Sequence, residues 1–228
     1  MPLFRLLVLL ARTLASLLTS ALSPPACAAC DAPLAQASVF CPTCAETVLR
    51  SWRVEAGAAV AFAVFGGAVA AALKRFKYED RPDLGRPLGE LMRRAARDEG
   101  IAADVVVPVP LHPRRLVERG YNQAALLAGA VAAELNARLG ARVLGRRRST
   151  AQQARLGREE RLTNVAGAFE VRDARAVRGK RVVLVDDVAT TGATLGACKD
   201  ALIEAGAIEV TALVLACAEG SKSEPREP

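Results

Sequence analysis

The segment VVLVDDVATTGATL, at residues 182–195, restricts the possible folds more than any other part of this 228-residue chain. Val182 to Val185 is too short and too β-branched for a helix, and it is apolar on both faces. Such a run suits the interior of a parallel sheet. Thr194 to Ala205 is predicted as a helix, so Asp186 to Ala193 is predicted as the turn between them. Open α/β sheets bind ligands at turns of this kind.

The predicted turn combines small residues, hydroxyl groups and two acids. Gly192 and its small neighbours allow backbone N–H groups to approach an anion at the helix N-terminus, and the threonines add hydroxyl donors. This pattern is typical of a phosphate site. Since the carboxylates of Asp186 and Asp187 would repel phosphate, we expect them to face hydroxyls or a metal on the same ligand. A phosphorylated sugar offers both kinds of group.

Two other interpretations explain only part of the segment. A helix capped by threonine after an ordinary strand explains the threonines but not the paired acids. Receiver domains of response regulators also end a strand on paired Asp, but they do so near their N-terminus. Here Asp187 is followed by only 41 residues, which hold one helix and the predicted strand Glu209–Cys217. That remainder is too short for a receiver domain.

The segment resembles the phosphoribosyl-pyrophosphate (PRPP) signature of type I phosphoribosyltransferases, in which hydrophobic residues precede DD, a short spacer and TTGAT. In that family the acidic pair holds the ribose 2′ and 3′ hydroxyls, and the TTGAT backbone holds the 5′-phosphate. The resemblance therefore implies a PRPP site formed by Asp186, Asp187, Ala189, Thr190, Thr191, Gly192, Ala193 and Thr194.

Four cysteines near the N-terminus have the spacing of a metal site. Cys27 and Cys30 form one CxxC pair, and Cys41 and Cys44 form a second after ten residues. Two such knuckles complete a tetrahedron of thiolates around zinc, with no open position, so the predicted zinc is structural. Two disulfides or a redox pair are the alternatives. Disulfides would require secretion, and a redox motif needs only one CxxC at a helix start.

Two apolar stretches have the length of targeting or membrane segments. Residues 1–22 are predicted as an amphipathic helix rather than a signal sequence, because an arginine interrupts them and two prolines stand where a cleavage site would need small residues. The run Ala56–Leu73 is split by paired glycines into a predicted strand, Ala58–Phe65, and a helix that ends in LKRFKY. We therefore predict no membrane span and a cytoplasmic protein.

A second apolar strand, Asp104–Pro110, is followed by a basic segment. Two prolines restrict the backbone where the strand ends. Three arginines then precede a helix predicted to start near Tyr121. A rigid turn beside guanidinium groups suits pyrophosphate, although any single arginine can also be a solvated surface charge. We assign this side of the PRPP site to Val109, Pro110, Arg114, Arg115 and Arg119.

The polar segment at residues 146–171 has no clean helical or strand period at its start. Irregular segments of this length inside a compact domain are usually functional or disordered. We interpret its beginning as a mobile flap over the site, followed by a short helix at 159–166 and an edge strand. The predicted flap residues are Arg148, Thr150, Gln152 and Gln153.

Taken together, VPVPLHPRRLVERGYNQ, the flap segment, the PRPP signature and the CxxC pairs resemble the ComF family. These are phosphoribosyltransferase-like proteins with a zinc ribbon, associated in many bacteria with competence, the uptake of DNA. The resemblance covers about residues 22–217 and implies an α/β fold with a mostly parallel twisted sheet flanked by helices. The implied domains are an apolar helix (1–22), a zinc ribbon (23–50), a phosphoribosyltransferase-like domain (51–220) and a disordered tail (221–228).

The resemblance implies phosphoribosyl transfer from PRPP, with Mg²⁺ bridging the pyrophosphate and the ribose hydroxyls. The alternative is an adaptor or sensor that keeps the pocket and binds a competence helicase or single-stranded DNA. The net charge of +7 and pI of 9.4 favour polyanionic partners, but an Ala- and Arg-rich composition gives the same values. Few aromatic residues, 4%, argue against base stacking on single-stranded DNA.

Several single residues are given structural roles. Lys74 and Lys77 could reach the same anions, but we favour surface lysines with solvated amines. His112, beside a proline, is expected to be structural, so no general base is identified. Cys198 and Cys217 are expected in the core. The acceptor, the oligomeric state and whether the protein is an enzyme stay open.

Overall fold

A mostly parallel sheet organises the chain. The computed structural model describes residues 25–36, 38–50, 53–54, 59–146 and 167–218. Its strands are β1 (Arg53–Val54), β2 (Ala59–Val64), β3 (Val105–Pro108), β4 (Arg138–Leu139), β5 (Leu144–Arg146), β6 (Phe169–Val171), β7 (Arg181–Ala189) and β8 (Glu209–Cys217). The main sheet has the order β1-β2-β8-β7-β3-β4, and only β1 pairs antiparallel. β5 and β6 form a separate antiparallel pair.

Helices cover both faces of the main sheet. They are α1 (Pro42–Ala45), α2 (Gly67–Tyr78), α3 (Gly85–Asp98), α4 (Pro113–Arg119), α5 (Gln123–Glu134) and α6 (Ala193–Glu204). Of the helices in the described ranges, none combines the length and apolar character needed to cross a membrane. The α/β architecture predicted from the sequence is confirmed.

The central strand β7 is apolar on both faces because both faces are buried. Val183 and Val185 pack into a core with α2, α3 and α5, whereas Val182 and Leu184 point into a second core with α6. All four side chains are at most 1% exposed. This alternation at period two explains why the run contains no polar residue.

The same strand continues further than the sequence indicated. The prediction that the turn begins at Asp186 is wrong, because β7 runs to Ala189. Its neighbour β8 extends equally far, so Asp186 pairs with Val214 and Ala189 with Cys217. Both acids therefore belong to the rigid strand, and the turn is reduced to residues 190–192.

The basic segment after β3 is a helix rather than a turn. His112 caps α4, its Nδ1 accepting a hydrogen bond from the Arg114 N–H at 3.2 Å, and Gly120 ends the helix with a φ of 75°. The next helix, α5, starts at Gln123 and is capped by Asn122 instead of starting near Tyr121.

Other predicted elements match closely or fall outside the described residues. The predicted strands at 58–65 and 104–110 contain β2 and β3, and the last strand has the predicted bounds. Cys198 and Cys217 are buried in the second core, as predicted. The N-terminal segment 1–22, the flap residues, the helix at 159–166 and the tail 221–228 lie outside the described residues.

The strand order creates a crevice between β3 and β7. These two strands are neighbours, and the Val109 N–H donates to the Val185 carbonyl at 2.8 Å just beyond their ladder. The helix α5 that follows β3 packs into the first core, whereas the helix α6 that follows β7 packs into the second. Because the two helices leave to opposite faces, a crevice opens at the strand ends, where ligands bind in open α/β sheets.

Close packing of α3 against α5 gives a test of the core. A Cβ added at Gly89 would lie 2.6 Å from the Ala130 Cβ, which cannot rotate away. We expect Gly89→Ala to lower the free energy of unfolding by about 1–3 kcal/mol through overpacking, measured by urea denaturation.

Gly129→Ala is the matched control, since a Cβ at Gly129 in α5 would meet no atom within 4 Å. Helix propensity predicts that this variant gains up to about 1 kcal/mol. Equal stability of the two variants would contradict the tight contact at Gly89.

Candidate functional site

A cleft of about 540 Å³ opens at the ends of β3 and β7. This volume lies within the range of small-molecule sites. The cleft brings together most residues of the predicted PRPP site: Asp186, Asp187, Ala189, Thr190, Thr191, Gly192, Ala193, Thr194, Val109, Pro110, Arg115 and Arg119.

The acidic pair is held by contacts from its own strand and from α2. The Asp187 N–H donates to Asp186 Oδ1 at 2.8 Å, and Asp187 Oδ1 lies 2.8 Å from Lys77 Nζ. The Asp187 residue is 9% exposed. The side chains therefore have a fixed geometry that does not depend on a flexible loop.

The two carboxylates differ in their electrostatic environment. Burial, and after it the negative charge of Asp187, raise the pKa of Asp186 to about 7. The Asp187 N–H and the positive charges of Lys77 and Arg146 act in the opposite direction. Carboxyl groups with raised pKa values in a cleft mark functional sites, because such an arrangement costs stability.

Backbone geometry shapes the loop that follows. Gly192 has a φ of 74°, in the left-handed region, and directly precedes the first residue of α6. Within the described ranges no side chain at the N-cap position makes a capping hydrogen bond to this helix, and its first residues, Ala193 and Thr194, line the cleft. The Thr191 hydroxyl makes only a long contact of 3.5 Å with the Ala193 N–H. The loop therefore offers donors to an anion at the helix N-terminus.

Guanidinium groups line the same cleft as this loop. Arg115 and Arg119 reach it from α4, and Arg146 reaches it from the end of β5. Burial, and next the positive charge of Arg115, lower the pKa of Arg146. Like charges brought close together favour an anionic ligand between them.

The prediction for Arg114 is not supported by its position. The residue does not line the cleft, its side chain is 82% exposed, and its Nε lies 3.3 Å from Glu118 Oε1. The reason is the helical geometry of α4, in which residues four apart share a face. Arg115 and Arg119 therefore both face the cleft, whereas Arg114 faces away from it and pairs with Glu118.

The interpretation of Lys77 as a solvated surface lysine is wrong. Lys77 pairs with Asp187, whereas Lys74 is exposed. A helical period could have revealed this, since Lys77 lies four residues after the buried Leu73 and eight after the buried Val69. His112 caps α4 and does not line the cleft, which agrees with its predicted structural role.

The four N-terminal cysteines form a compact cluster. Their Sγ atoms all lie within 4.8 Å of one another, and Cys30 Sγ is 3.8 Å from Cys41 Sγ. Tetrahedral thiolate coordination at a Zn–S distance of about 2.3 Å places sulfur atoms about 3.8 Å apart. The donor set therefore fits a single metal ion of the zinc type.

The pKa values of the cysteine thiols also favour a bound cation. Burial opposes ionisation of Cys27, but backbone N–H groups led by that of Cys41 lower its pKa to about 6. Burial and the neighbouring thiols raise the pKa of Cys44 to about 12. Four crowded thiols do not all ionise by themselves, and a bound cation removes that penalty.

Ion pairs connect this cluster to the helix that carries Lys77. The Arg75 guanidinium in α2 donates to the Ala28 carbonyl at 3.1 Å and pairs with Asp31, between the two CxxC motifs. Arg81 Nη1 also lies 3.1 Å from Asp31 Oδ1. The Arg75 side chain is only 12% exposed, so this contact is part of the packed structure.

Comparison with known proteins agrees with the geometry. The phosphoribosyl transferase domain family matches residues 121–228. The DNA utilization protein YhgH of Salmonella typhimurium is 30% identical over 189 residues, which cover 81% of this chain and 80% of the relative. Competence protein F of Haemophilus influenzae is 32% identical over 60% of this chain and 63% of its own. The chain belongs to the ComF family of phosphoribosyltransferase-like proteins.

A solved structure of the allosteric regulatory enzyme of purine biosynthesis is a more distant match for this ComF-family chain. It is 24% identical, with a TM-score of 0.44, and the match covers 62% of this chain and 29% of that one.

The raised pKa of Asp186 predicts how stability depends on pH. An unfolded Asp ionises near pH 4, whereas the folded residue keeps its proton up to about pH 7. The folded state thus binds more protons in this window, and the stabilisation it gains from the proton is lost as pH rises from 4 to 7. Asp186→Asn should lack this loss and be more stable than the wild type at pH 8.5 by about 1 kcal/mol.

Urea unfolding at pH 6 and pH 8.5 measures this effect. Asp200→Asn, at an exposed position in α6, controls for the loss of one negative charge. An Asp186→Asn variant that is less stable than the wild type at pH 8.5 would show that the carboxylate stabilises the fold.

Proposed function

We propose that this protein binds PRPP and transfers its phosphoribosyl group, with Mg²⁺, to an acceptor. The observation that carries the proposal is the junction of β7 and α6, where two carboxylates near the end of a rigid strand share one cleft with the N-terminus of the next helix and with several guanidinium groups. A sugar with hydroxyls in the middle and phosphates at both ends fits this order of charges.

Each part of the cleft has a chemical role in this proposal. The N-terminus of α6 and the threonine hydroxyls bind the 5′-phosphate. Asp186 and Asp187 orient the ribose hydroxyls, and Arg115 and Arg119 neutralise the pyrophosphate as it leaves. Positive charge develops on the sugar in such a displacement, so the two carboxylates also stabilise it electrostatically.

The acidic pair also suits a magnesium ion. Carboxylate oxygens are the ligands that Mg²⁺ prefers, together with phosphate oxygens of a substrate. When bound, the ion neutralises charge on the pyrophosphate. The chain's own contribution is to fix the carboxylates on a strand and to place Lys77 against Asp187.

We further propose that the cysteine cluster holds structural zinc and that the protein works in the cytoplasm, where thiols stay reduced. Four protein ligands leave no open position for catalysis. Through Asp31 and Arg75, the metal would stabilise the packing of α2 on the sheet.

A second candidate function is favoured by the names of the relatives. A DNA utilization protein and a competence protein share this family. A sensor that binds PRPP without turnover and contacts a competence helicase or single-stranded DNA is consistent with the net charge of +7. Release of pyrophosphate in a screen of acceptors separates the enzyme from the sensor.

Calorimetric titration of PRPP with Mg²⁺ tests the binding proposal. We expect saturable binding by the zinc-loaded wild type. The Asp186→Asn/Asp187→Asn double variant should bind at least about ten-fold more weakly, because it loses charged hydrogen-bond acceptors. Asp200→Asn serves as the control. Unchanged affinity in the folded double variant would exclude the acidic pair from the site.

Metal analysis combined with thermal unfolding tests the zinc proposal. We expect one zinc per chain in the wild type, and loss of zinc with a lower unfolding temperature in Cys30→Ser, since metal binding contributes folding free energy. Cys198→Ala, in the core away from the cluster, should keep its zinc. Full zinc content in Cys30→Ser would rule out a four-cysteine site.

A further inference from the structure

The ion pair between Lys77 and Asp187 lies inside the ligand cleft, which both residues line. Lys77 Nζ is 2.8 Å from Asp187 Oδ1, and the two side chains are only 19% and 13% exposed. Removing either partner of such a pair leaves an uncompensated charge with little access to water. In the free protein the amine therefore occupies a carboxylate oxygen that a ligand of Asp187 would use.

The backbone of Lys77 is fixed, whereas its amine has room to move. The preceding residue, Phe76, is fully buried and holds this turn of α2 in the core. Lys77 also lines a second cavity of about 580 Å³, where Asp80 and Glu118 offer carboxylates. Because both of these acids are exposed, they attract an amine only weakly. A flexible lysine stem can thus turn into this cavity, but only when the ligand of Asp187 displaces it.

The charges that the structure describes around the acidic pair balance one another. Lys77 offsets Asp187, and Arg146 lines the same cleft, where its positive charge acts on Asp186. A free divalent cation would meet two carboxylates together with two cations that repel it. Mg²⁺ also loses its bound water reluctantly. The pair is therefore a poor site for a metal ion that arrives without an anion.

We propose that Lys77 is a specificity-determining residue, a displaceable counter-ion that keeps free divalent cations from binding the acidic pair. A ligand that brings negative charge together with its metal ion offers the displaced amine a new anionic partner, whereas a bare metal ion does not. The site then accepts the metal only as a complex with an anionic ligand. The inference rests on the proposed function for the identity of that ligand and adds the residue that controls how the metal enters.

Binding of Mn²⁺ to the zinc-loaded protein without any sugar tests this role, because electron paramagnetic resonance measures the free Mn²⁺ directly. We expect weak binding by the wild type. Lys77→Met keeps an unbranched side chain and removes the charge, so it should bind Mn²⁺ at least about ten-fold more tightly. Mg²⁺ should displace this Mn²⁺. The gain should be lost in the Lys77→Met/Asp187→Asn double variant, which lacks the carboxylate.

Lys74→Met is the matched control. It removes the same charge from an exposed position one turn earlier on α2, and screening by salt should keep its Mn²⁺ affinity within about two-fold of the wild type. Lys77→Arg keeps the positive charge and should bind Mn²⁺ as weakly as the wild type. A damaged fold does not create a tight metal site, so a gain confined to variants without a charge at this position reports on the charge.

Because loss of one partner of a shielded ion pair can impair folding, urea unfolding is measured for each variant with and without Mn²⁺. Lys77→Gln provides a second uncharged variant, whose amide can still donate a hydrogen bond to Asp187. Its expected Mn²⁺ affinity is that of Lys77→Met, and Mn²⁺ should raise the stability of both variants more than that of the wild type.

The outcomes separate this inference from the proposed function. Equal Mn²⁺ affinity in the wild type, Lys77→Met and Lys77→Gln would overturn the role of Lys77 while leaving PRPP binding intact. Wild-type protein that binds no PRPP, although the uncharged variants gain Mn²⁺ affinity, would overturn the proposed function and keep Lys77 as the counter-ion. Failure of both measurements would overturn both.

Discussion

Repulsion between two carboxylates on consecutive residues of a buried strand is the constraint around which the site is arranged. Lys77 neutralises Asp187 from α2, and the Asp187 N–H satisfies one oxygen of Asp186. Burial, and next the negative charge of Asp187, still raise the pKa of Asp186. The strand cannot relieve the repulsion by moving, because β8 and β3 hold it on both sides. A polyhydroxylated ligand or a cation can relieve it, whereas folding alone does not.

The ion pair between Lys77 and Asp187 links the cysteine cluster to the sheet through α2. Lys77 can reach Asp187 only if α2 keeps its place, and Arg75, two residues earlier, anchors that helix to Ala28 and Asp31. Thr47, just after the second CxxC pair, accepts from the Ala68 N–H at 2.9 Å at the start of the same helix. The region around the cysteine cluster thus contacts both ends of α2. Stabilising this region therefore also fixes the position of Lys77, whose positive charge balances the negative charge of Asp187.

Features that depend on a local pattern could be predicted from the sequence, and features that depend on tertiary context could not. The buried parallel strand and the CxxC cluster follow from periodicity and spacing, which the sequence contains directly. The extension of β7 to Ala189 depends on the length of β8, which is distant in sequence. The outward position of Arg114 depends on α4 being a helix, whereas the prolines that precede this segment favour a turn.

Two helix N-termini at the crevice explain how a single cleft can suit a ligand with an anionic group at each end. Because α5 and α6 follow neighbouring strands but pack on opposite faces, both helices begin at the same edge of the sheet. Each helix N-terminus favours a bound anion, whereas the carboxylates of β7 between them repel anions. A ligand with a single phosphate can interact with only one of the two helix N-termini. A ligand with phosphate at both ends and hydroxyls between them matches this whole pattern of charges, and the strand order, which brings both helix starts to one edge, is what makes the proposed ligand fit.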